Sequence, residues 1–294
     1  MIRCLLVGLI FFISINTVSA QPATNVVVSI RPIHSIVSAL MEGVSEPRLL
    51  LDSNESAHTF HLKPSQLKLL SNADLLITIG DSFESGLSKV IRNIDQNYRL
   101  NLSEIKELQI YDFRDHNEIE HDEHDKDLHL WLDVGNVQII AEKIKQKLIE
   151  INPSNKEQYN TNYLELKSKL NQLEEKIQFQ LEPIKSTPFA IYADILQYFE
   201  KNFDLNKPVI IAPYHGARLS INRVIKAKNK MKNQKTRCLI YGSENTSKQI
   251  NVLTEGLDIK AHSVDILGVK LEPGSEQYFD LMKEISNQLA SCLE

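Results

Sequence analysis

Cysteine is scarce in this sequence of 294 residues, with three in all. Cys4 lies in an apolar leader, and no cysteine follows the leader to carry a lipid. Long apolar runs are missing too. The only one, Cys4–Ile15, is too short and too weakly flanked for a membrane span. With Arg3 before it and Val18-Ser19-Ala20 after it, it reads as a secretory signal cleaved after Ala20. There is no excess of positive charge. The chain carries −5 at neutral pH, which argues against nucleic acid and anionic membrane as partners. No His-Glu-x-x-His, nucleophile elbow or phosphate-binding glycine loop occurs, so the usual signatures of a zinc hydrolase or a nucleotide enzyme are absent. The chain is expected not to be an enzyme.

Once the leader is gone, Cys238 and Cys292 remain, an even pair in an oxidising compartment, and a disulfide between them is expected. Closing a loop of that size is worth about 4 kcal/mol on the chain-entropy model.

What stands out is the stretch 112–127. It has no periodic apolar face, so it reads as a solvated loop. His116, His121 and His124 stand there among eight acidic residues, with only Arg114 and Lys126 as cations. Imidazole nitrogens mixed with carboxylate oxygens suit Zn2+ and similar divalent ions. The acidic residues alone would be read as a solvated connection; three histidines in nine positions turn the reading toward metal. The loop lacks the glycine turn of an EF-hand, which makes calcium a poor fit. Directly after it, His129 opens the apolar segment Leu130-Trp131-Leu132.

The remaining chain alternates short continuous apolar runs with helical segments, the pattern of parallel sheets covered on both faces. Strands are expected at 25–30, 48–51, 74–79 and 98–102, with helices near 33–41, 64–71, 83–94 and 137–149. A second series places strands at 189–192, 209–212, 238–241 and 259–264, and helices near 196–203, 217–231, 248–256 and 276–291. Between the series, Tyr159, Tyr163, Leu166, Leu170, Leu173, Ile177 and Leu181 form one apolar stripe. A capping box at Ser154–Glu157 and Pro183 bound this helix. The expected architecture is α/β: two βα lobes with parallel sheets, joined by one long rigid helix, with a metal cleft between them. The divisions are a signal at 1–20, an N-terminal lobe at 21–152, the linking helix at 153–184 and a C-terminal lobe at 185–294.

Ligands of open parallel sheets gather at the carboxyl ends of strands. His58 and His61 follow the strand at 48–51, and Asp265 ends the strand at 259–264. Together with His129 they are the candidate metal ligands. His34 lies within the first helix and reads as a packing residue.

At these residues the chain resembles the ZnuA-type zinc-binding proteins, the periplasmic substrate-binding components of metal-uptake ABC transporters. The resemblance runs nearly the full length. It is carried by Ser29-Ile30-Arg31-Pro32-Ile33-His34, Ser56-Ala57-His58-Thr59-Phe60-His61-Leu62-Lys63-Pro64-Ser65, Leu128-His129-Leu130-Trp131-Leu132, Tyr198-Phe199-Glu200-Lys201 and the two cysteines. It implies a periplasmic monomer that holds Zn2+, with Mn2+ as the alternative, through His58 and His129, and hands it to an inner-membrane ABC permease. It also implies that the stretch 112–127 is the family's metal-gathering loop and that Asp265 matches an aspartate ligand of relatives. The family's histidine after the first strand of the second lobe is replaced here by Ala193. That leaves Asp194, His61, His215 or water to complete the set. It also raises the alternative of a divergent paralogue with an altered site or an adhesin-like role; a zinc hydrolase ranks behind both.

Overall fold

The computed structural model describes residues 24–51, 62–114, 126–212 and 219–294. The first lobe runs β1 (Val26–Val28), α1 (Arg31–Leu40), β2 (Arg48–Leu49), α2 (Pro64–Ser71), β3 (Leu75–Thr78), α3 (Ser88–Ile91) and β4 (Arg99–Asn101). A two-stranded antiparallel hairpin, β5 (Tyr111–Asp112) and β6 (Lys126–Asp127), follows it. Then come two long helices, α4 (Val134–Ile151) and α5 (Lys156–Leu181). The second lobe runs β7 (Phe189–Ala193), α6 (Gln197–Asn202), β8 (Val209–Ala212), α7 (Ile221–Asn233), β9 (Cys238–Gly242), α8 (Ser247–Thr254), β10 (Lys260–Val264) and α9 (Gln277–Leu293).

Each lobe holds a four-stranded sheet whose strands pair in parallel. The orders are β2-β1-β3-β4 and β10-β9-β7-β8. Counted within its own lobe, each sheet has the order 2-1-3-4, so both reverse direction beside their first strand. The continuous apolar runs explain the burial. Val26, Val27 and Val28, and Leu75, Leu76 and Ile77, are wholly buried because helices cover both faces of the sheet.

The long helix is present. Its 26 residues span about 39 Å at 1.5 Å per residue. Tyr159, Leu166, Leu170, Leu173, Ile177 and Leu181 bury the expected stripe, while Tyr163 is half-buried. Asn162 belongs to the same buried face. Its amide donates to the carbonyls of Leu40 and Glu42, closing the C-terminus of α1. Ahead of this helix, residues 153–155 make a 3-10 turn, in which the Ser154 hydroxyl donates to Asn152 Oδ1. The helix expected at 83–94 is cut to a 3-10 turn and the single turn of α3.

The last helix, α9, is not confined to its lobe. It packs on α1 and α5. The Tyr278 hydroxyl donates to Trp131 O at 2.9 Å, and its backbone N–H donates to Ser35 Oγ at 2.9 Å. The Cys238–Cys292 disulfide forms, with Cα atoms 5.4 Å apart, and ties β9 to the far end of α9.

Candidate metal cleft

The site is best built outward from His129, which is 5% exposed. The residue is separated from the end of β6 by Leu128 alone, and a 3-10 turn over Leu130–Leu132 buries Trp131 behind it. Phe83 and Trp131 both meet the imidazole edge-on, at 5.9 and 5.4 Å between centroids. Asp127, wholly buried, accepts from His129 Nδ1 at 2.7 Å and from the His129 backbone N–H at 3.0 Å. Gln197 Nε2 reaches the other carboxylate oxygen at 3.2 Å. Burial alone would raise the Asp127 pKa, but the imidazole's charge and these hydrogen bonds outweigh it and hold the pKa below the usual range. A proton held on Nδ1 by this carboxylate puts the lone pair of the neutral ring on Nε2, the form that ligates a metal. Asp127 was legible only as one acid among eight; the signal for its role was the Asp-x-His spacing.

The second lobe comes to this point through Trp131, whose Nε1–H donates to Ile266 O at 2.7 Å. Asp265 is the neighbour of Ile266 and begins a tight turn. Its Oδ1 accepts from the N–H groups of Leu267 and Gly268, and its Oδ2 from Val269 at 2.7 Å. Gly268 has φ +64°, and a Cβ there would run into Gln277 Nε2, so the turn requires glycine. The turn thus engages both lone pairs of Asp265 Oδ1 and one of Oδ2, which leaves Oδ2 the oxygen able to take a further partner.

Arg114, which the sequence presents merely as a loop cation, is the strongest electrostatic feature beside the site. Its guanidinium binds both oxygens of Asp194 and both oxygens of Glu200. The Asp194 and Glu200 side chains are 1% and 4% exposed, and that of Arg114 is 11% exposed. Asp194, a candidate to replace the missing ligand, is therefore already engaged by a cation. Burial, against the pull of Arg114, pushes the Glu200 carboxyl up to about 7. Tyr198 on α6 donates to Asp127 O at 2.6 Å and accepts from the Tyr111 N–H at 3.2 Å. The β5–β6 hairpin, from which the acidic stretch departs, is thereby clasped to the second lobe.

Glu84 holds the equivalent corner of the first lobe, at the ends of β1 and β3. It accepts from the Ser29 hydroxyl and from the N–H groups of Ile79 and Gly80, and its burial raises the carboxyl to about 7.

His58, His61, His116, His121, His124 and His215 lie outside the described residues. Ala193 closes β7 and is buried. His34 points Nε2 at Pro47 O, 3.2 Å away, as a packing residue does. Among the described residues no three His, Cys, Asp or Glu side chains converge as a metal-holding group, and no helix is long and apolar enough to cross a membrane.

The family model for the periplasmic component A of the zinc-uptake complex, ZnuA, matches residues 26–292. The chain belongs to the ZnuA family. The family is one of transport binding proteins, and its members include the high-affinity zinc uptake protein ZnuA of Brucella abortus (strain 2308), 30% identical over alignments covering 91% of each chain. A crystal structure of ZnuA shares the fold with a TM-score of 0.78 at 19% identity, covering 93% of this chain and all of the other. The substrate-binding protein FpvC of Pseudomonas aeruginosa, solved with Mn2+, matches with a TM-score of 0.79 at 14% identity over 92% of this chain and 99% of its own.

Proposed function

We propose that the protein, exported after loss of residues 1–20, binds one Zn2+ in the cleft and delivers it as cargo to an inner-membrane ABC permease. His58 and His129 are the principal ligands, Asp265 approaches from the second lobe, and His61 or water completes the set in place of the absent histidine at Ala193. His116, His121 and His124 bind further ions more weakly and feed the cleft. The observation that carries this reading is His129: its Nδ1 is occupied by a buried carboxylate, which presents Nε2 as a neutral donor at the junction of the lobes. Two or three imidazoles with one carboxylate form a set that zinc accepts readily. The chain works as a monomer.

Manganese is the second reading, favoured by the likeness to the Mn2+-bound FpvC structure and by the loss of one imidazole at Ala193, since oxygen donors suit Mn2+. Isothermal titration with each ion decides between them. His58→Ala and His129→Ala are expected to remove most high-affinity binding, His61→Ala to cost less, and Ala193→His to tighten zinc binding. If His58→Ala and His129→Ala both titrate like the parent, the cleft does not hold the ion.

A further inference from the structure

Ala193 cannot ligate, and Asp194 beside it is bound to Arg114. The neighbouring strand brings another group to the same place. In the second-lobe sheet β9 runs between β10 and β7. Val264 of β10 pairs with Gly242 of β9, and Ile191 of β7 pairs with Ile240. Two residues further along, Ala193 comes level with Gly242, so Ala193, Gly242 and Val264 form one row directed to one face of the sheet. This row is the carboxyl end of the sheet, where ligands of open parallel sheets gather. Gly242 has no side chain, yet its place on that face is filled. A tight turn follows it, closed by the Asn245 N–H donating to Gly242 O at 3.0 Å, and this turn folds Glu244 back over the strand end. A Cβ on Gly242 would run into both carboxylate oxygens of Glu244. The carboxylate thus sits where a side chain of the middle strand would be, about one strand spacing (~4.8 Å) across from Ala193. Its charge reaches β7: burial raises the pKa of Tyr192, the residue before Ala193, and Glu244 adds to the rise. Glu244 is exposed, so an ion arriving from solvent can meet it.

We infer that Glu244 is a ligand of the cargo ion, giving it a carboxylate oxygen on the Ala193 side of the cleft. The inference rests on the proposed metal cleft, and it puts a carboxylate where that reading has His61 or water. A carboxylate has about four lone-pair sites, so it keeps room for an ion beside any other partner it holds. A set of imidazoles with two carboxylates suits Zn2+ and Mn2+ alike. Gly242 is part of the arrangement, because only the missing side chain lets the Glu244 carboxylate lie against β9.

The test is isothermal titration of the chain from Gln21 onward with Zn2+ and with Mn2+, scored on whichever ion the parent binds more tightly. The variants are Glu244→Gln, Gly242→Ala and His129→Ala, and a melting curve of each metal-free protein shows that it is folded. Glu244→Gln keeps the shape and removes the charge, and it is expected to weaken binding at least about tenfold. Gly242→Ala keeps the charge and displaces the carboxylate, so it should weaken binding to a similar degree. Ala193→His added to Glu244→Gln should regain zinc affinity, since an imidazole then stands beside the vacated place. If Glu244→Gln titrates like the parent while His129→Ala loses binding, the inference falls and the cleft stands. If Gly242→Ala titrates like the parent while Glu244→Gln is weakened, Glu244 acts only through its field, and the inference falls as well. If His129→Ala titrates like the parent, the cleft itself is misplaced, and the inference falls with it.

Discussion

Asp127 and Arg114 both lie where β5–β6 meets α6, and they make different demands on the site. Asp127 acts through His129: without its carboxylate the imidazole loses the partner that fixes its tautomer and orientation. Asp127→Ala is therefore expected to weaken metal binding about 10–100-fold, with a melting temperature that falls far less than the affinity does; titration calorimetry beside a thermal melt separates the two. Arg114 instead neutralises two buried carboxylates. Arg114→Ala leaves Asp194 and Glu200 facing each other and should cost about 3–5 kcal/mol. Its sign with pH follows from Glu200, whose pKa is raised by burial from 4.5 to about 7. Below 4.5 the carboxyl is neutral folded or unfolded and contributes no penalty. As pH rises from 4.5 through 7 the unfolded chain releases the proton first, so stability falls. Removing Arg114 lifts the folded pKa further, so the deficit of the variant should be small near pH 4.5 and grow toward pH 8. Denaturant melts at the two pH values showing a constant deficit would contradict this. The role of Asp127 left only the Asp-x-His spacing as a signal, and that of Arg114 was not legible at all, since a residue's charge is local information and its partner 80 residues away is not.

At the scale of elements, periodicity carried most of the fold. The valine and leucine runs of β1 and β3 and the stripe of α5 are strong patterns, and they form where they were expected. The misses have physical causes. Residues 83–94 hold apolar positions at helical spacing, yet Glu84 turns inward to satisfy the strand ends of β1 and β3, which breaks the helix at its start. Asn162 was hidden inside an apolar stripe because its value lies in carbonyls more than a hundred positions back in the chain. The disulfide was readable from compartment and parity. Its reduction unlinks β9 from α9 across a separation of 54 residues, with an expected cost of about 4 kcal/mol. Zinc titration of the reduced and oxidised forms at a temperature where both are folded should give the same affinity, because the bridge lies away from His129 and its partners.

For the whole molecule, the two lobes and the long helix were legible; the ligand set is a matter of residues brought together by folding, and half of the proposed set lies outside the described residues. Deleting Asn117–Asp125, which spares β5 and β6, should leave the melting temperature and the tightest titration step unchanged while reducing the number of ions bound. Loss of the tightest step would make the deleted histidines primary ligands. The contacts of α9 carry a different consequence. Tyr278 bonds to Ser35, 243 positions earlier, and the helix roofs α1 and α5 as well as its own sheet. Nothing translated before Gln277 can complete that roof, so the first lobe has no finished core until the last turns of the chain are made. Contacts of such separation fold slowly. On the proposed reading of an exported metal carrier, a polypeptide that reaches its native state only once its end has emerged is still open when it meets a translocation pore, and its cleft forms on the far side.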